Sequence, residues 1–435
     1  MFCDSTKIKI LKEIDTADQW WCSSAVMFSV KNGKNIIGER SSKQNEDYEY
    51  FSQMELNGKP LVQGKYPVCS TCKGMLATGY GIENIDCPEL VAVRECMNSE
   101  FISIRDSAEK IKPLLGLLSD GYYALADTIC FPSDGNGNFF YEISNELKLY
   151  DAACYGYYCS QDLSCVEHFP LFLYPTQSAS MINSERVDYY AELMRSDKNP
   201  PRALAYHLYG FMNALLDGHH KACAAASVGK CVRCLTIIPC DGSQLALETV
   251  DRKVRYSQSN PKIKTLVFAG LKTDVDGLHY LDVYKKETVS LTVPYQKYPL
   301  TNTRVRYGPE TYPTVRDIAA LLCANNKVKG VLPSFDTDII SGMISRDTDD
   351  MDRYLEAILH FVAYVDQKKA YKISSTIVKK GDGYMRHRRV RAALKFLLNF
   401  RDDETEQLFT DFYLDHKEND EIMDIVNSYW KNNKI

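Results

Sequence analysis

The apolar positions of this chain follow two rhythms. A period of two, or a short unbroken apolar run, marks strands, and a period of 3.6 marks helices. Ala25-Val26-Met27-Phe28-Ser29-Val30, preceded by Trp20-Trp21-Cys22, reads as a strand that ends at the turn Lys31-Asn32-Gly33. Residues 61–165 mix aromatic strand runs, such as Tyr122-Tyr123-Ala124-Leu125 and Phe139-Phe140-Tyr141, with Asp-Gly and Asn-Gly turns. One helical stretch is expected there, between Ile104 and Leu118. Residues 243–312 alternate again, as in Thr265-Leu266-Val267-Phe268-Ala269 and Leu278-His279-Tyr280-Leu281-Asp282-Val283. From 313 onward the spacing is helical, over Val315–Asn325, Asp350–Val365, Arg388–Phe400 and Glu404–Trp430.

Between these regions the pattern is denser. Phe169-Pro170-Leu171-Phe172-Leu173-Tyr174 predicts a strand ending at Pro175. Ser184, a residue type favoured at helix N-caps, opens a helix whose apolar face is Val187, Tyr190, Ala191 and Met194. Asn199-Pro200-Pro201 stops it. Strands Ala203–Leu208 and Phe211–Leu216 follow, then the turn Asp217-Gly218 and a helix from His219 to about Val228. Gly229 supplies its C-terminal cap, and strand Val232–Ile238 closes the unit.

A chain of 435 residues is too long for one core, so several domains are expected. The pattern suggests a multidomain α+β protein. Its parts would be an α+β region at 1–165, a central α/β module at 166–242, a β-rich continuation at 243–312 and a helical region at 313–435. The net charge of −5 argues against a generally basic nucleic-acid binder. No run of about 20 apolar residues predicts a membrane span. The N-terminus lacks the basic start and apolar run of a secretion signal, so a cytoplasmic location is expected. The 15 cysteines then read as buried thiols or metal ligands rather than a disulfide framework.

The richest chemistry lies at the second helix of the central module. Its start reads Asp217-Gly218-His219-His220-Lys221 and is followed by Ala222, Ala224, Ala225 and Ala226. Glycine lets a ligand approach the backbone closely. The first N–H groups of a helix and the positive end of its dipole form an anion site. Two histidines and a lysine add donors, and the alanines allow close packing on a sheet. Adjacent histidines after an Asp-Gly turn also occur as plain surface residues.

Leu215-Leu216-Asp217-Gly218-His219-His220-Lys221, with the alanines, Gly229 and the following strand, resembles the "DGHHR" signature of ParB/sulfiredoxin-like domains. Ser184-Glu185-Arg186-Val187-Asp188-Tyr189-Tyr190-Ala191-Glu192-Leu193-Met194 is similar to that family's preceding helix. The resemblance spans roughly residues 169–240. It implies a nucleotide-binding module in which His219, His220 and Lys221 face phosphates and Gly218 permits their approach. Asp217 would cap the helix, or help hold Mg²⁺ or a substrate group. Family members use ATP to repair an over-oxidised cysteine, bind and hydrolyse CTP while loading onto DNA, or move a phosphoryl group onto serine. Lys221 stands where arginine is usual, which loses the bidentate fork. A histidine stands where sulfiredoxins carry their cysteine, and no helix-turn-helix follows the motif.

Two readings follow from the resemblance. One is an enzyme, an ATP- or ADP-dependent phosphotransferase or a nucleotide hydrolase acting on an unidentified small-molecule acceptor. His220 and Asp217 would then be catalytic, with a carboxylate from the preceding helix as base. Glu185 ranks ahead of Asp188 and Glu192 because it starts that helix. The other is a nucleotide-regulated DNA-associated or protein-interaction module without catalysis. The basic run Lys379-Lys380-Gly381-Asp382-Gly383-Tyr384-Met385-Arg386-His387-Arg388-Arg389-Val390-Arg391 lends DNA its only local support.

Two weaker constellations remain. Cys69-Ser70-Thr71-Cys72 is similar to a zinc knuckle. A tetrahedral structural Zn²⁺ needs two further ligands, for which Cys87 and Cys96 are nearest and Cys22, Cys154, Cys159 and Cys165 are alternatives. Asp134-Gly135-Asn136-Gly137-Asn138 looks like the start of a calcium loop. Phe139 and Asn145 stand where glycine and glutamate are needed, so a turn is expected.

Overall fold

In the computed structural model the protein is a mixed α+β fold. The structure describes residues 5–17, 19, 21–41, 49–67, 74–78, 81–142, 148–150, 169–196, 199–208, 210–241, 246–247, 262–283, 312, 314, 355–356, 359, 362–363, 367–380, 387–415 and 420–431. The chain forms two compact units, Met1–Tyr312 and Pro313–Ile435.

The first unit is built on a seven-stranded mixed sheet. In sheet order its strands are β1 (Lys7–Ile14), β2 (Cys22–Lys31), β7 (Gly121–Cys130), β12 (Val232–Pro239), β10 (Ala203–His207), β11 (Met212–Asp217) and β9 (Phe172–Tyr174). The expected boundary at residue 165 therefore runs through one sheet. β7 pairs antiparallel with β12 from Val232↔Cys130 to Pro239↔Tyr123, so the central module shares its core with the region before it. The pairing follows from composition. Both strands are almost continuously buried, and such strands need neighbours on either side. A five-stranded antiparallel sheet contains β3 (Ile37–Ser41), β4 (Glu49–Leu56), β5 (Lys59–Pro67), β6 (Gly74–Thr78) and β8 (Lys148–Tyr150). β13 (Ala246–Leu247), β14 (Lys262–Phe268) and β15 (Leu271–His279) make a small third sheet within the same unit.

The helices near the seven-stranded sheet are short. α1 (Pro88–Met97) begins with proline at its first turn. The helical stretch expected between Ile104 and Leu118 is two pieces, α2 (Ile104–Lys110) and α3 (Lys112–Leu115), because Pro113 cannot donate into a continuous helix. α4 (Ser184–Arg195) is capped one residue earlier than expected. The Asn183 side chain, not Ser184, accepts the Arg186 N–H at 3.0 Å. α5 (His219–Ser227) connects β11 to β12 and packs on α4. Ala222, Ala224, Ala225 and Ala226 are fully buried, and their small size permits that approach. Gly229, at φ 63°, ends it as the sequence predicts.

In the second unit the described helices are Gln367–Lys379, His387–Leu397, Asp403–Asp415 and Asp420–Lys431. The helical spacing over Glu404–Trp430 belongs to two helices. Phe409 stacks on Tyr429 at 4.4 Å, and Arg401 lies 4.4 Å from the Tyr429 ring centre. In the basic run, Arg389 is buried, while residues 381–386 lie outside the described set. Among the described residues, no helix is long and apolar enough to cross a membrane.

Candidate functional site

The start of α5 forms one wall of a cavity of about 100 Å³. Its lining comes from four places: α1 (Arg94, Asn98), Gln177 in the loop after β9, α4 (Arg186, Tyr190), and the segment Leu216–Lys221. The N-cap of α5 is Gly218, and no side chain there accepts from the first-turn N–H groups. A helix start of that kind presents its dipole and its N–H donors outward.

Gly218 is required for a reason other than ligand approach. Its φ is 102°, and a Cβ added there would sit 2.6 Å from the Ala203 Cβ at the start of β10. The glycine lets α5 leave β11 tightly against its own sheet.

The three basic side chains after it line the cavity, and each is also bonded to the fold. Each holds a different wall of the cavity. His219 is buried, and its Nε2 accepts two backbone N–H bonds, from Thr176 and Gln177, at 3.1 Å each. An imidazole nitrogen that accepts is unprotonated, so the ring carries its proton on Nδ1. Burial, helped by the charges of His220 and Arg94, holds its pKa well below the usual histidine range. His220 Nε2 accepts the Asn183 N–H at 3.0 Å and so fixes the start of α4. Burial, then the Arg186 guanidinium, pushes its pKa down to about 4. Lys221 is buried, and its Nζ donates to Met97 O at 2.7 Å and Arg202 O at 2.9 Å. It thereby joins the end of α1 to the start of β10, where a cation also suits the helix dipole.

Two further charged residues that the sequence reading did not single out, Arg94 and Arg186, line the cavity. Arg94 Nε lies 3.6 Å from Asp217 Oδ1, and Lys221 Nζ lies 3.7 Å from Asp217 Oδ2. Both pairs are longer than a hydrogen bond. The Tyr190 hydroxyl donates to Asn98 Oδ1 at 2.8 Å. That bond ties α4 to α1 across the cavity. A guanidinium has five donors, so Arg94 and Arg186 can each serve more than one acceptor. Arg186 was legible as the third residue of the predicted helix. Arg94 was not, because only the sheet order brings α1 beside α5.

Of the expected catalytic residues, His220 and Asp217 line the cavity and Glu185 does not. Glu185, Asp188 and Glu192 are exposed on α4. Asp217 does not cap α5; its carboxylate sits between Arg94 and Lys221. Both histidine Nε2 atoms are occupied by backbone donors, so neither is placed to take a proton from a substrate.

The expected zinc set is described only in part. Cys69, Cys72, Cys154, Cys159 and Cys165 lie outside the described residues. Cys87 and Cys96 flank α1 at opposite ends, about 13 Å apart along the axis by helix rise, too far to share one tetrahedral ion. Among the described residues, no group of three His, Cys, Asp or Glu is arranged to hold a metal. In the Asp134 loop, the carboxylate accepts from Asn136 N, Asn138 N and Asn138 Nδ2, which makes it a turn.

Comparison with protein-family models, with curated proteins and with solved structures found no match to this chain.

Proposed function

We propose that the cavity at the start of α5 binds the phosphate groups of a nucleotide, and that this is a binding module rather than a catalytic one. The observation that carries the proposal is a division of labour. His219, His220 and Lys221 are engaged in holding three walls, while Arg94, Arg186 and the uncapped α5 N-terminus converge on the space between them. Two guanidiniums and a helix start suit a phosphate better than a carboxylate or a neutral ligand. The binding reading is favoured over phosphotransfer because, among the described residues, Asp217 is the only cavity-lining carboxylate and both imidazole Nε2 atoms accept backbone N–H groups.

Mg²⁺ fits this site only as an ion shared with the ligand. It takes one or two protein carboxylates together with substrate phosphates, and Asp217 is the one available here. Bound there, it would offset the repulsion between Asp217 and the phosphate oxygens. Arg94 and Arg186 would clamp the phosphate from α1 and α4, and Gln177 would offer an amide from the loop that His219 holds.

Isothermal titration of the full chain with ATP, CTP, GTP and inorganic pyrophosphate, with and without Mg²⁺, tests this. A charged hydrogen bond is worth about 1.5–3 kcal/mol, so Arg94→Ala or Arg186→Ala should each weaken binding roughly 10- to 100-fold. Both are partly exposed, so the fold should survive. No binding of any of these ligands at millimolar concentration by folded wild type would overturn the proposal, as would unchanged affinity in the double variant.

A further inference from the structure

The first unit exposes few large apolar side chains, and they are not scattered. Among its described residues those most exposed are Val91, Ile102, Met181 and Tyr189. Three of the four lie on or just before helices that line the cavity just described. Val91 lies three residues before Arg94 on α1, and Tyr189 three residues after Arg186 on α4, so each shares a helix face with a cavity arginine. Met181 lies two residues before the Asn183 cap that His220 holds. None of these three side chains is buried.

Tyr189 is the decisive one. It is 61% exposed, yet its ring centre lies 5.2 Å from that of Tyr190, at an interplanar angle of 68°. Tyr190 is a cavity wall, with its hydroxyl on Asn98 and the Lys221 ammonium 5.6 Å from its ring centre. Tyr189 therefore stands one ring away from the phosphate-binding space. Edge contact with Tyr190 orients it and leaves a flat face to solvent. A bare phosphate or a phosphosugar has nothing to place there. A nucleotide does, since every base has a π-face and stacks on an exposed aromatic ring.

We infer that Tyr189 is the base-stacking shelf of this site, so that the ligand is a whole nucleotide whose phosphates reach the α5 N-terminus and whose base lies outside on α4. The inference rests on the phosphate reading above but makes a separate claim.

The experiment is isothermal titration of full-length wild type, Tyr189→Phe and Tyr189→Ala with ATP, GTP, CTP and inorganic pyrophosphate, beside Arg186→Ala. An exposed tyrosine tolerates truncation with little effect on stability. Base–aromatic stacking is worth about 1–3 kcal/mol, so Tyr189→Ala should weaken the tightest-binding nucleotide roughly 5- to 150-fold. Tyr189→Phe should stay within about threefold of wild type, because it keeps the ring. Pyrophosphate affinity should be the same in all three, while Arg186→Ala weakens pyrophosphate and nucleotide alike. If Tyr189→Ala binds the nucleotide as wild type does while Arg186→Ala loses it, the shelf is wrong and the phosphate site stands. An equal loss of nucleotide and pyrophosphate in Tyr189→Ala also overturns the shelf, since the tyrosine would then act only as support. If wild type binds neither, both claims fall together.

Discussion

Replacing His219 by phenylalanine isolates what this residue does. Phenylalanine keeps an aromatic ring of similar size against Phe140 and Tyr141, whose centres lie 6.4 and 6.3 Å from the imidazole. It removes the acceptor on which the Thr176 and Gln177 N–H groups both depend. The Thr176 N–H is buried and the Gln177 N–H partly so. An orphaned buried donor costs about 1–3 kcal/mol, so the pair should cost about 2–5 kcal/mol, with the lower share from Gln177. That is a large fraction of a typical domain stability of about 5–15 kcal/mol. Urea unfolding followed by circular dichroism would show it as a lower midpoint at unchanged slope. His219→Gln, which retains a side-chain acceptor, should recover part of the loss. A residue that merely donated to a phosphate would behave in the opposite way, with stability unchanged without ligand and only affinity reduced. A ligand-free His219→Phe protein within about 0.5 kcal/mol of wild type would refute the reasoning, since surface substitutions commonly fall within that range.

Three further outcomes follow from the same geometry. Gly218→Ala should destabilise the first unit by about 3 kcal/mol or more, combining about 1–2 kcal/mol for a left-handed backbone with overpacking against Ala203, as read from the same urea midpoint. Stability should fall as pH drops from about 6.5 toward about 4, because His220 has a depressed pKa and the unfolded chain binds the proton more readily. After solvent screening at the cavity mouth the His220 contribution is about 1–2 kcal/mol, fully present above the ordinary histidine pKa, and a His220→Gln variant should show a flatter profile between pH 4 and 6.5. Asp127→Ala should cost about 3–5 kcal/mol, because Asp127 is buried between Arg202, which pairs with it through Nε at 2.9 Å and Nη2 at 3.1 Å, and Arg233 at 2.6 Å, and thermal unfolding would report the loss.

The elements around the site were readable in the sequence because each is decided by a few neighbouring residues. The spacing of Val187, Tyr190, Ala191 and Met194 makes α4 amphipathic wherever it packs, and Asn199-Pro200-Pro201 ends it. The strands of Ala203–His207 and Met212–Asp217, the glycine at 218 and the alanine-rich helix behind it all lie close to where the pattern put them. The same locality explains the errors. Asn183 competes with Ser184 for one cap, and both residue types cap well, so only the backbone path selects between them.

What each side chain faces was a different matter. A histidine or lysine at a helix start can serve a ligand or its own fold, and the choice depends on what is packed against that turn. Here sheet order decides it. β7 beside β12 keeps the preceding region in the same core, and α1 then lies against α5 so that its last carbonyl meets the Lys221 ammonium. The loop after β9 brings two N–H groups to His219. Once those buried polar groups are satisfied by the triplet, its three side chains serve the fold, and Arg94 and Arg186 line the same cavity beside them. Local pattern therefore determined the strands, helices and turns of this protein. Which basic residues became scaffold and which face the cavity was decided by tertiary contacts between segments far apart in the chain, because a buried hydrogen-bonding group must find its partner wherever the fold places one.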